Sequence, residues 1–285
     1  MLFRHAQPRH WLRWLRPPSR LSLPARLGLA AAAAAAALPV LITAAPASAA
    51  VNYVALGDSY SSGLGAGNYI SSSGSCYQSY NAYPVLWANV NAPSSFSFEA
   101  CAGATTTDVI NNQLSALNSS TSLISITIGG NDVGFSNVME TCVLGSDSNC
   151  YNAVTQAENE ARTVLPGKLD TLFTDMQRDA AYAHVVVLGY PELYDLQYSS
   201  TCAGLDTYKR TELNQGADVL DGVIQQQTQN YGFTYGNGIQ AFTGHELCDS
   251  HEWLKSVDWS WFEDSYHPNT AGQAYAYEPL FATNA

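Results

Sequence analysis

Residues 51–63 read VNYVALGDSYSSG, an apolar run that stops at Gly57 and leaves Ser59 two positions beyond it. A short buried strand closed by glycine can present the next side chains at the edge of a sheet. Two further runs, LISITIG at 123–129 and HVVVLGY at 184–190, repeat the pattern. Short, rich in β-branched residues and ended by Gly, all three read as strands covered on both faces. Between them the spacing predicts helices. NAYPVLWANV (81–90) is short and apolar, and TTDVINNQLSAL (106–117) opens on threonines suited to capping. Over 151–181 a stripe of Val164, Leu165, Leu169, Leu172, Phe173 and Met176 is interrupted by Pro166, either a kink or a new helix start. A segment over 208–230 carries Leu213, Ala217, Leu220 and Ile224, and TAGQAYAYEPLF after His267 reads as a terminal helix. Strands alternating with helices give βαβ units, hence an α/β fold with a mainly parallel sheet and helices on both faces. Chemistry in such a sheet sits beyond the C-terminal strand ends, which places Ser59, Asn131 and Pro191 at three ends that can converge.

The first fifty residues have a different character. Six arginines precede residue 27 with no Asp or Glu, followed by LGLAAAAAAAALPVLITAA and the small-residue site Ala47-Ser48-Ala49. That is the pattern of a secretory signal peptide, expected over residues 1–50 and removed on export, leaving no membrane span. Residues 51–285 are expected to form one domain, since they carry no low-complexity linker and no repeat. This part keeps all 24 acidic residues against six basic ones, a net charge of 6 − 24 = −18. Such a field repels nucleic acid and anionic surfaces, so nucleic-acid binding is not expected.

All six cysteines, Cys76, Cys101, Cys142, Cys150, Cys202 and Cys248, lie beyond the leader. An even number in an exported chain points to three disulfides; fifteen pairings exist, and the sequential one, Cys76–Cys101, Cys142–Cys150 and Cys202–Cys248, is the simplest. No pair has the C-x₂₋₄-C spacing of a structural zinc site.

A serine nucleophile needs a base within reach, a group that orients the base, and donors aimed at a developing oxyanion. Of the four histidines beyond the leader, His184 opens an apolar run and reads as structural, while His245 and His251 sit in a loop near Cys248. His267 differs, lying in DSYHPNTAG with Asp264 three residues before it and Pro268 stiffening the chain after it. A carboxylate so placed can fix the imidazole tautomer. Asn131, in TIGGNDVGF, offers a neutral amide donor at a strand end, and Gly103, in CAGATT, lets an oxyanion approach its backbone N–H. The G-x-S-x-G elbow, H-E-x-x-H and G-x-G-x-x-G are all absent from the sequence, and nothing in it requires a cofactor or metal.

The order GDSYSSG, GAT, GGND and DxxHPNxxG resembles the GDSL, or SGNH, hydrolase family, most closely its secreted actinobacterial esterases and lipases. The resemblance runs from Val51 to the terminal helix. It implies a three-layer αβα sandwich with five central parallel strands, and relatives of the secreted group carry three disulfides. By position, Ser59 resembles the nucleophile and His267 the general base, while Gly103 and Asn131, with the Ser59 N–H, resemble the oxyanion hole. Asp264 matches the acid that orients the base, although some secreted relatives use a main-chain carbonyl there; Asp58 resembles a residue that holds the turn. The implied activity is cleavage of carboxylic esters of apolar acyl chains by a secreted enzyme; a monomer with transient contact at a lipid interface is expected. Phospholipid acyl hydrolysis, polysaccharide deacetylation and a non-catalytic binding module are the alternatives. The loop aromatics Tyr190, Tyr194, Tyr198, Trp253, Trp259 and Trp261 are the expected walls of an acyl groove, or else braces of a disulfide-pinned shell.

Overall fold

The computed structural model describes residues 50–198, 202 and 204–285, which fall within one compact unit. The expected signal peptide therefore lies, but for Ala50, outside the described residues. Strand β1 (Asn52–Gly57) leads into a one-turn helix α1 (Ser59–Ser62), followed by α2 (Tyr83–Asn91), β2 (Ser95–Phe98), α3 (Thr106–Asn112) and β3 (Leu123–Thr127). Three helices succeed one another before the next strand: α4 (Phe135–Leu144), α5 (Asp147–Thr163) and α6 (Leu165–Asp179). Then come β4 (His184–Leu188), the long α7 (Thr207–Asn230), β5 (Thr234–Gly236) and α8 (Gly238–Phe242). The chain closes through α9 (Thr270–Gly272), a π turn at Gln273–Tyr277 and α10 (Glu278–Asn284).

The five strands form one parallel sheet in the order β2-β1-β3-β4-β5. Its three inner strands are the glycine-closed runs, buried almost throughout. On one face α2 and α10 pack through Trp87 and Phe281 against Tyr53 of β1. On the other lie α3, α6 and α7, and α6 buries Leu169, Leu172, Phe173 and Met176 completely. Each such side chain contributes about 1.5–3 kcal/mol of transfer free energy. This is the αβα sandwich that the motifs implied. Pro166 stands in the first turn of α6, where its missing N–H costs nothing, so it starts a helix rather than kinking one.

From β1 the chain moves outward to β2, then returns across β1 to β3, so the strand order reverses between β1 and β3. A crevice opens at such a switch point, beyond the C-terminal ends of the two strands. Gly57 and Asp58 end β1 there, and Gly129 to Asp132 end β3. Disulfides at Cys76–Cys101, Cys142–Cys150 and Cys202–Cys248, the sequential pairs, pin the loops around this edge.

Candidate active site

Gly57 leaves β1 with φ of +123°, and a Cβ there would stand 2.5 Å from the Thr127 carbonyl oxygen, so only glycine lets the turn hug β3. The Gln113 side chain brackets the same peptide, accepting from Gly57 N–H and donating to Gly57 C=O, both at 2.8 Å. Asp58 then caps α1: Oδ1 accepts from Tyr60 N–H at 3.0 Å and from the Thr127 hydroxyl at 2.7 Å, while Oδ2 accepts from the Tyr190 hydroxyl. Tyr190 in turn accepts from Gly130 N–H at 3.2 Å. One buried carboxylate thus joins the ends of β1, β3 and β4. Burial pushes its pKa up to about 6, against hydrogen bonds that favour the anion.

Ser59 opens α1 with its hydroxyl donating to His267 Nε2 at 2.8 Å. The other ring nitrogen, Nδ1, donates to the main-chain carbonyl of Ser265 at 2.9 Å, which fixes the tautomer that leaves Nε2 free to accept. Between them Tyr266 adopts φ of +64°, an unfavourable conformation for a bulky residue. Its surroundings hold it there. The Tyr266 carbonyl accepts from the Tyr60 hydroxyl at 2.7 Å, its own hydroxyl accepts from Tyr194 at 3.1 Å, and its N–H donates to Lys255 C=O at 2.8 Å. Gly65 supplies the remaining wall, for a Cβ there would come within 2.9 Å of His267 Cβ. Desolvation pushes the imidazole down to about 4, outweighing the two main-chain carbonyls that favour the cation, so it is neutral near pH 7.

Asp264 does not orient the imidazole. Its carboxylate is buried and turned to Lys255 Nζ, and its Oδ1 has no hydrogen-bond partner among the described residues. The expectation drawn from the DxxH spacing is corrected accordingly: the Ser265 carbonyl occupies the acid's position. A three-residue offset fixes proximity along the chain, but the left-handed Tyr266 rotates the carboxylate away and brings a peptide oxygen in.

Gly103, at φ of +79°, and Asn131 border the same cleft as Ser59 and His267. Asn131 Nδ2 donates one proton to Ala104 C=O at 3.0 Å, leaving the second for another acceptor. Among the described residues neither Ser59 N–H nor Gly103 N–H has an acceptor in the protein. Asp132, hidden in the GGND motif, locks the two loops together by accepting from Thr106 N–H at 2.9 Å and its hydroxyl at 2.8 Å, with Lys168 Nζ 3.1 Å away. Cys101 tethers the Gly103 loop from the other side. Three donors and a hydroxyl–imidazole pair around one opening can stabilise a tetrahedral oxyanion and run acyl transfer.

Two cavities meet at Ser59. The first, with an empty volume of about 820 Å³ including its mouth, is bordered by Gly103, Asn131, His267, Tyr77 and Phe262. The second is a narrow slot that runs from Ser59 and Asn131 into the protein between α4, α5 and α7, and its walls are mainly aliphatic: Val138, Met139, Val154, Ala157, Leu213 and Leu220 among them. Of the loop aromatics, Tyr190 alone borders this slot. Tyr194 is buried under Tyr266, Trp253 stacks on His245 at 3.5 Å between ring centroids, and Trp261 packs on Tyr69 and Tyr77. The slot was missed because its walls come from one face of each of three separate helices. His184 Nε2 donates to Asn284 C=O at 2.6 Å, and His245 Nδ1 meets His251 C=O at 2.8 Å; none of these histidines enters the site.

Residues 55–275 match the GDSL-like lipase/acylhydrolase family, and the chain belongs to it. It is an ester hydrolase. It is 50% identical over 254 residues to Lipase 1 of Streptomyces coelicolor, covering 89% of this chain and 94% of that protein. Among solved structures it resembles phospholipase A1 from Streptomyces albidoflavus (TM-score 0.81, 51% identity) and the extracellular lipase of Streptomyces rimosus (TM-score 0.80, 45% identity). Each covers 83% of this chain and 100% of the solved one.

Proposed function

We propose that this protein is an exported lipase or carboxylesterase that cleaves esters of apolar acyl chains through an acyl-enzyme on Ser59. His267 takes the Ser59 proton as Oγ adds to the ester carbonyl. The oxyanion is held by the N–H groups of Ser59 and Gly103 and by the free proton of the Asn131 amide. The protonated imidazole then passes its proton to the leaving alcohol, and on deacylation the same base activates water, which releases the acid and restores Ser59. The Ser265 carbonyl holds the imidazole in place throughout.

The observation that carries this reading is the 2.8 Å Ser59–His267 contact at the opening of an aliphatic slot. An acyl chain lying in that slot places its carbonyl between the hydroxyl and the three donors. A fluorophosphonate should label Ser59 stoichiometrically in the wild type and not at all in Ser59→Ala; a Ser59→Ala protein that keeps ester turnover would overturn the assignment. Export is supported by the basic, apolar and A-x-A leader and by three disulfides.

A second reading has support from one comparison, the 51% identity to a phospholipase A1. Phospholipid acyl esters would use the same slot and the same nucleophile. Turnover of phosphatidylcholine against triacylglycerol and aryl esters of matched chain length separates the two: preference for the phospholipid replaces the lead.

A further inference from the structure

The segment Asp258–Glu263, DWSWFE, carries three large aromatic rings, and one of them, Phe262, borders the catalytic cleft. Phe262 forms part of the cleft wall, and the Trp259 ring stands 6.4 Å from it between centroids. Trp259 is 72% exposed, the most exposed tryptophan among the described residues. Trp261 is anchored instead, in contact with Tyr69 at 5.7 Å and Tyr77 at 5.1 Å, and Tyr77 borders the cleft as well. Beside the cleft, then, one indole is packed against tyrosines while the other, next to Phe262, is open to solvent.

An indole has an apolar body and one N–H, the combination that settles at a boundary between hydrocarbon and water. We propose that Trp259 anchors the enzyme on a neutral or zwitterionic lipid–water interface, laying the mouth of the cleft against it. The proposal rests on the lipid-ester reading above and adds the surface and the kind of partner. The charges select the partner. Lys255 beside the loop is matched by Asp264, and the two remaining charges on it, Asp258 and Glu263, are acidic. With a net charge of −18 beyond the leader, the approach to an anionic bilayer is repulsive. A neutral or zwitterionic surface carries no such barrier, so burial of the ring decides the contact.

The test measures binding separately from turnover. In the Ser59→Ala background, which leaves the lipid intact, sedimentation with phosphatidylcholine vesicles should show partitioning that falls at least about tenfold when Trp259→Ala is added. Phosphatidylglycerol vesicles should bind less than phosphatidylcholine vesicles at low salt. With Ser59 present, Trp259→Ala should lower turnover of emulsified long-chain ester and leave a water-soluble short ester unchanged. Equal partitioning with and without Trp259, absence of binding to phosphatidylcholine, or stronger binding to phosphatidylglycerol each overturns the proposal. Loss of soluble-ester turnover by the wild type would instead overturn the hydrolase reading, leaving the binding result to stand by itself.

Discussion

Replacing Asp264 by Asn separates two accounts of the base. If its carboxylate oriented His267, the change would act on the chemistry, as loss of a triad acid does, at a cost of about 10⁴-fold in kcat. Here Nδ1 donates to the Ser265 carbonyl, a peptide group that no side-chain substitution removes. The carboxylate of Asp264 is spent on Lys255, whose side chain is 30% exposed. Breaking a fully buried pair costs 3–5 kcal/mol, but partial hydration of the lysine discounts that to about 1–2 kcal/mol. At ~2–4 °C per kcal/mol for a chain of this size, Tm should fall by about 2–8 °C. Turnover of a short soluble ester, measured well below the new Tm, should fall by less than about tenfold. A double substitution, Asp264→Asn with Lys255→Met, removes the stranded cation and should recover part of the lost Tm. A folded Asp264→Asn protein with kcat reduced by 10³-fold or more, and Tm unchanged, would refute the reasoning and return the carboxylate to the catalytic machinery.

Two further outcomes follow from the site. Only the neutral imidazole can accept the serine proton, and desolvation lowers its pKa to about 4, so kcat/KM on an uncharged ester should hold as pH falls through 6 and decline only near 4; an acid limb at 6.5 would contradict this burial. Ala217 borders the aliphatic slot, and Ala217→Phe should fill it, cutting turnover of long-chain esters at least about tenfold while acetyl esters persist, as a chain-length series would reveal.

The parts of this architecture that follow local rules were legible in the sequence. The inner strands announced themselves as apolar runs closed by glycine, and Ser59, Gly103, Asn131 and His267, scattered over more than two hundred residues, share one cleft because three of them follow strand ends at a switch point. The edge strands did not announce themselves: SFSF at 95–98 is half exposed and TYG at 234–236 spans three residues, too short for a period to show. Nor did α4, whose Phe135, Val138 and Met139 border the slot as well as packing on the core. The correction at Asp264 and the resolution of the loop aromatics in favour of braces share a cause. Spacing reports which residues are near along the chain, while a single φ of +64° at Tyr266, or the approach of three helices, decides which atoms meet. Gln113, just past the C-terminal end of α3, belonged to no motif, and Asp132 stands inside GGND, where the neighbouring Asn131 drew the reading.

A carbonyl in place of a carboxylate has a definite electrostatic consequence. A buried anion next to Nδ1 would stabilise the imidazolium strongly, raising its pKa and its power as a base, but would itself need compensation in a site with Asp58 already buried close by. The Ser265 carbonyl supplies orientation and tautomer with only a dipole, so desolvation dominates and the base stays weak and neutral into acid. A weak base must be helped elsewhere, since the imidazolium formed during attack gains less from its surroundings. In the mechanism proposed above, the help is on the other side of the reaction: three donors to the oxyanion, two of them peptide N–H groups, one on a one-turn helix and one on a disulfide-tethered loop. Asp58, Tyr190, Asp132 and the Cys76–Cys101 bridge hold the loops that would carry those donors, so placement is set before substrate arrives.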